Sequence, residues 1–244
     1  MLNSTKRKNS QVNQYGGIPY LRAVFQEPGQ EIVDSLKACL VQALNHYLKV
    51  NGTLPDKIII YRDGVGDGQL KLVNDYEIPQ LQVCFSLVDA TYKPKLMYVV
   101  VQKRINTRIF KKLNNSLENP PPGTIVDHDI TRRNWYDFLI VSQYVTQGTV
   151  TPTHYIVMHD SIGMTPDQCQ RLTYKLCHLY YNWPGTVRVP APCQYAHKLA
   201  YLVNADNHGH QGVSSACDKQ SCMIGGGSIL LCQLFLTFLT PWWM

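Results

Sequence analysis

Three kinds of side chain in this 244-residue sequence could do chemistry: an aspartate closing an apolar run, a histidine far downstream, and a basic cluster between them. Asp63 ends the β-branched part of KIIIYRDGVGDG, Lys57 to Gly68, and glycines follow it at 64, 66 and 68. A carboxylate projected from a strand end is a hard oxygen donor of the kind divalent cations take. Its plainer role is to open a turn whose glycines accept positive φ. The glycines do not form a dinucleotide loop, because that fingerprint needs its last glycine three positions on; nor do a lysine and serine of a phosphate loop follow. His197 lies in YAHKLA; taken alone, it is a helical histidine satisfied by its neighbours. Glu31 precedes an amphipathic run, where a carboxylate favours the helix dipole. Lys103, Arg104, Arg108, Lys111 and Lys112 follow a strand, and such a run is ordinarily a solvated loop.

The elements that must position these groups are legible from hydrophobic period. Apolar residues recur three and four apart from Ile32 to Leu48, which predicts a helix with one buried face, ended by Gly52 and Pro55. Ile58 to Tyr61 is a continuous apolar run, suited to a strand buried on both faces. Residues 70–88 predict a second helix interrupted at Pro79, and KLMYVVVQKR another buried strand. NNSLENPPPGT is expected as a surface connection. TIVDHDI, YDFLIVSQYV and THYIVMHD predict three neighbouring strands. Thr165, Pro166 and Gln168 start a capped helix running to Trp183; a short strand covers Thr186 to Val189, and a last helix, Cys193 to Val203, carries His197. The sum is an α/β domain around a mixed sheet.

Composition sets limits on function. With 45% hydrophobic and 16% charged residues the chain is globular, and its net charge of +6 permits a nucleic-acid partner without requiring one. Eight cysteines without a CxxC pair favour a reduced, intracellular setting. The polar, basic opening MLNSTKRKNSQVNQ has no apolar run behind it, so secretion is not expected.

In this order and at these spacings, QEIVDSLKACL, IIIYRDGVGDGQL, VVVQKRINTRIF, PPGTIVDHDIT, PTHYIVMHD and RLTYKLCHLYYNWPGTVRVPAPCQYAHKLAYL resemble the Piwi domain of Argonaute proteins, nearest to the Piwi clade. The resemblance covers residues 21–203, between a basic segment 1–20 and a tail 204–244. It implies a ribonuclease H-like mixed sheet flanked by helices and, in active members, guide-directed cutting of RNA by two magnesium ions, with manganese as a substitute. Two such cations stabilise the attacking water and the leaving oxygen of an in-line displacement. By this resemblance Asp63, His197 and Glu31 are the catalytic metal ligands. Gln102, Lys103, Arg104 and Arg108, in QKRINTR, face the guide, as phosphate contacts that read no sequence. The implied partners are a guide RNA, its complementary target and proteins of silencing complexes. The implied place is the cytoplasm, perinuclear granules included, with the nucleus left open.

Two departures shape the expectation. The family takes a first aspartate from an early strand, yet residues 1–30 hold no aspartate and only Glu27 as an acid. The chain is therefore expected to start inside the domain, with its first strands incomplete and the guide-anchoring modules absent, and to cleave little or nothing by itself. A non-catalytic module for RNA or a protein partner, or an inactive fragment, stays as the alternative. The tail resembles nothing in the family and reads as an altered reading frame or a retained intervening sequence. His208, His210, Cys217 and Cys222 have the residue types of a zinc site but no common finger spacing. Ile229 to Leu239, short for the roughly 20 residues of a spanning helix, leaves a membrane contact open.

Overall fold

The computed structural model describes residues 36–132, 134–207 and 235–238. In chain order the elements are α1 (Leu36–Asn51), β1 (Lys57–Asp63), α2 (Ile78–Val88), β2 (Lys95–Gln102), β3 (Lys111–Leu113), β4 (Ser116–Glu118), β5 (Thr124–Val126), β6 (Tyr136–Val141), β7 (Thr153–Asp160), α3 (Pro166–Leu176), α4 (Ala191–Asn207) and β8 (Phe235–Phe238). One six-stranded sheet has the order β5-β6-β7-β2-β1-β8, and β3 and β4 form a separate hairpin. β1 and β2 run parallel while every other neighbour pairs antiparallel, so the sheet is mixed, as expected.

Strand alternation divides the core into two layers. Ile58 and Ile60 of β1, with Leu96, Tyr98 and Val100 of β2, pack on Leu36, Leu40 and Leu44 of α1 and Leu81 and Cys84 of α2. Ile59 and Tyr61, with Met97, Val99 and Val101, face the other way onto Cys169 and Leu176 of α3 and Cys193 of α4. The sheet is thus flanked by a helix pair on each face. Both central strands are buried almost throughout, which is why their sequences read as apolar runs without alternation.

Several boundaries differ from the sequence expectation, each for a local reason. The helical stretch after β1 is not broken at Pro79. A wide π turn, Val73–Glu77, precedes it and Pro79 stands in the first turn of α2, where a missing N–H costs little. The segment Thr186 to Val189 is not a strand. Its Arg188 carbonyl accepts from the Ser142 and Thr153 hydroxyls at 3.0 and 2.9 Å, so side chains do what a ladder would have done. α3 stops at Leu176, with Cys177 as its cap, rather than reaching Trp183. β5 ends at Val126, shortly before Asp129 takes a φ of 61°, and β6 ends at Val141. The expected surface connection begins as the hairpin β3–β4, turning at Asn114 with φ 51°.

The capping box at Thr165 is present in both directions: its hydroxyl accepts from the Gln168 N–H and its own N–H donates to Gln168 Oε1. Phe235–Phe238, from the tail, pairs antiparallel with the outer edge of β1 in the register Tyr61 to Phe235 through Ile58 to Phe238. His208, His210, Cys217, Cys222 and the start of the apolar tail lie outside the described residues. No described helix is long and apolar enough to cross a membrane.

Candidate active site

The side of the sheet on which each group stands follows from its parity in β1. Asp63 continues Ile59 and Tyr61 and so faces α4, whereas Arg62 continues Ile58 and Ile60 and faces the helical layer before α2. There the Arg62 guanidinium, 2% exposed, meets Glu77, 0% exposed, in a forked pair at 3.1 and 3.2 Å. The Tyr98 hydroxyl donates to the same carboxylate at 2.5 Å, and Arg62 Nη1 donates to the Asp63 carbonyl at 2.7 Å. The strand end that carries Asp63 is therefore held from behind by a satisfied buried ion pair. At Gly64 the chain turns away with φ 85°, a conformation costly for a residue with a Cβ.

In front, three groups from three elements meet. Asp63 Oδ2 lies 2.6 Å from the Lys103 ammonium and 2.8 Å from His197 Nε2. Lys103 Nζ also lies against His197 Nε2. The imidazole nitrogen cannot at once donate to Asp63 and accept from Lys103, so the ammonium stands where one cation could be shared by an oxygen and a nitrogen. Arg188 donates to the Lys103 carbonyl and fixes the root of that side chain. Asp63 is almost fully buried, and burial pushes its carboxyl up. The hydrogen bond to His197 and the charge of Lys103 outweigh this and hold it below the usual carboxylate value.

A carboxyl whose pKa is depressed by folding adds stability that is complete above its unfolded pKa of about 3.9 and is lost as pH falls through the lower folded value. Asp63→Asn is accordingly expected to flatten the acid limb of stability below about pH 4, followed by circular dichroism. An acid limb as steep as the wild type's would show that Asp63 contributes no such term.

The three groups open into a cavity of about 760 Å³ at the ends of β1 and β2. Its lining balances Asp63, Asp67 and Asp137 against Lys103, Arg104 and Arg132. Gln102 spans it, donating to Asp67 Oδ1 at 2.8 Å and to the Val65 carbonyl at 3.1 Å, while Arg132 reaches the same Asp67 oxygen at 2.6 Å. The hydrogen bonds from Gln102 and Arg132 hold the Asp67 carboxyl below its ordinary value.

Of the residues expected from sequence, Asp63, His197, Gln102, Lys103 and Arg104 share this cavity. Arg108 does not line it: its guanidinium folds onto the Ile105 and Thr107 carbonyls of its own loop. Lys111 and Lys112 sit on the exposed hairpin, and Glu31 lies outside the described residues. Sequence reasoning missed Asp67, Arg132, Asp137 and His154. The last two were detectable as polar residues inside the strand runs YDFLIV and THYIVMHD.

As metal ligands, Asp63 and His197 fit one edge of a divalent cation, a hard oxygen beside a nitrogen that accepts when its lone pair is free. Among the described residues no three of histidine, cysteine, aspartate and glutamate converge as a set. The described cysteines offer no nucleophile: all five are buried thiols outside any disulfide, and burial pushes Cys84 to about 11 and Cys169 and Cys177 to about 12.

Comparison with known proteins identifies the family and the fold. The Piwi domain model matches residues 10–208. Piwi-like protein Ago3 of Bombyx mori is 71% identical over 196 residues, which cover 80% of this chain and 21% of that protein. Among solved structures, Drosophila Piwi is 48% identical with a TM-score of 0.64, covering 70% of this chain and 23% of its own. Kluyveromyces polysporus Argonaute with a guide RNA is 30% identical, also at a TM-score of 0.64, covering 71% and 21%. The chain thus spans about a fifth of the length of such relatives. The mixed sheet with flanking helices is the ribonuclease H-like sheet of the Argonaute Piwi lobe.

Proposed function

The chain belongs to the Piwi family, and we propose that it acts in small-RNA-guided silencing, in the cytoplasm, by holding guide-paired RNA across the ends of β1 and β2. The observation that carries this is the convergence of Asp63, Lys103 and His197 on one point in the wall of a cavity that also holds Arg104 and Arg132. The solved relative that holds a guide RNA supports the choice of partner.

Asp63 and His197 are the residues that would hold a divalent cation, magnesium by preference for oxygen, with manganese able to replace it. Bound there, the cation supplies charge stabilisation to phosphodiester oxygens. With a cation there, Lys103 would no longer be needed to neutralise Asp63, and its ammonium would face backbone phosphates together with Arg104, which is exposed beside it. Gln102, tied to Asp67 and the Val65 carbonyl, keeps the glycine loop from closing over the carboxylate. Arg62 and Glu77 hold the strand end still behind it.

A second reading, an RNA-binding module that does not cut, is favoured by the two-ligand convergence among the described residues. The deciding experiment incubates the full chain with a guide and a labelled complementary RNA in magnesium. Cutting that Asp63→Ala abolishes assigns a nuclease; retention of the duplex without cutting assigns the binding module; no retention at all overturns the proposal. In the same assay Arg104→Ala is expected to weaken binding equally for all sequences and to make the slope of log K against log salt shallower by about 0.7–0.9, one phosphate contact. An unchanged slope removes Arg104 from the phosphate path.

A further inference from the structure

The same cavity is also lined, at the ends of the strands, by groups from the sheet face opposite to Asp63. Alternation along β7 puts His154 on the same face as Ile156, opposite to Tyr155, and Asp137 on β6 points the same way, opposite to Phe138. His154 pairs across the ladder with Gln102, two strand spacings, about 10 Å, from β1. Asp137 is 1% exposed in its side chain and spends both oxygens: Oδ1 accepts from the Arg132 backbone N–H at 2.9 Å, and Oδ2 lies 2.7 Å from His154 Nε2. The carboxylate thus claims a proton on Nε2 and fixes the ring. Among the described residues His154 Nδ1 has no hydrogen-bond partner, and the ring is 13% exposed on the cavity wall.

In its neutral form a ring held this way presents a lone pair at Nδ1, which suits a hydroxyl donor and not a phosphate oxygen. Beside it Arg132 engages Asp67 through Nη2, and its side chain remains 32% exposed. An acceptor next to a guanidinium matches a ribose 2′-hydroxyl next to its phosphate, a pair that DNA lacks. We propose that His154, oriented by Asp137, accepts a hydrogen bond from one ribose 2′-hydroxyl beside the Asp63 centre, with Arg132 on the adjoining phosphate, and so distinguishes RNA from DNA at that nucleotide.

This inference rests on the RNA-binding reading above, and its test separates the two. The full chain is titrated, with EDTA present, against guide–target duplexes in which a single 2′-deoxy sugar is walked along the target strand. One position is expected to cost the wild type about three- to tenfold in affinity, the size of one hydrogen bond. His154→Phe should bind the all-ribose duplex more weakly and become indifferent to that deoxy sugar. His154→Gln, which can still donate to Asp137 and offer a carbonyl, should keep part of the preference. Melting temperatures check that both variants fold, and the wild-type scan needs neither. A wild type that binds RNA with no sensitive position, or a His154→Phe variant with undiminished discrimination, overturns the inference and leaves the RNA-binding reading standing. Absence of any RNA binding overturns both.

Discussion

Glu77→Ala is expected to lower folding stability by about 3–5 kcal/mol, because it removes the carboxylate that the buried Arg62 guanidinium meets in a forked pair. At about 2–4 °C per kcal/mol for a domain of this size, the melting temperature should fall by roughly 6–20 °C. The size of the effect follows from burial: both side chains are almost wholly excluded from solvent, and Tyr98 also loses its acceptor. Arg62→Met combined with Glu77→Leu should recover much of the loss, since an apolar pair carries no desolvation penalty. Thermal unfolding of the three proteins is the measurement. A single variant that melts within 2 °C or so of the wild type would mean that Arg62 finds water or another partner, and the strand end would then lack its rear support.

Asp63→Asn should reduce affinity for a divalent cation by more than about a hundredfold. Changes to the outer shell of metal sites alone typically cost 10–100-fold, and here a ligand itself is replaced. The amide is close to isosteric, so the fold should persist, with Lys103 free to pair with His197 Nε2 alone. Manganese binding followed by electron paramagnetic resonance reads the metal directly, independently of any cutting. His197→Ala should weaken the same signal less, because an imidazole brings no formal charge. In EDTA the Asp63 variant should bind RNA at least as well as the wild type, since it removes one negative charge from a cavity lined by three acids and three bases. Manganese binding unchanged in Asp63→Asn would place the metal elsewhere and remove the chemical core of the proposed function.

Much of the fold was legible because its signals are local. The apolar runs of β1 and β2, the helical period of α1, and the threonine, proline and glutamine that start α3 each state their conformation within a few residues. The misread segments are those where a distant group decides. Thr186 to Val189 has strand-like residues, but Ser142 and Thr153 take its carbonyl, and Pro79 sits harmlessly because a π turn prepares its place. Nor could local pattern show that Phe235–Phe238 would cover the outer edge of β1.

The site divides in the same way. Sequence alone determined that Asp63 ends a buried strand and that His197 rides a helix, because apolar runs and helical period are properties of neighbouring residues. Only the tertiary structure decided that Lys103 closes on Asp63 and His197, that Arg108 turns back on its own loop, and that Asp137 and His154 join the same cavity. Those contacts depend on which strands lie side by side, and that order is chosen by the burial of the whole sheet between its two helical layers.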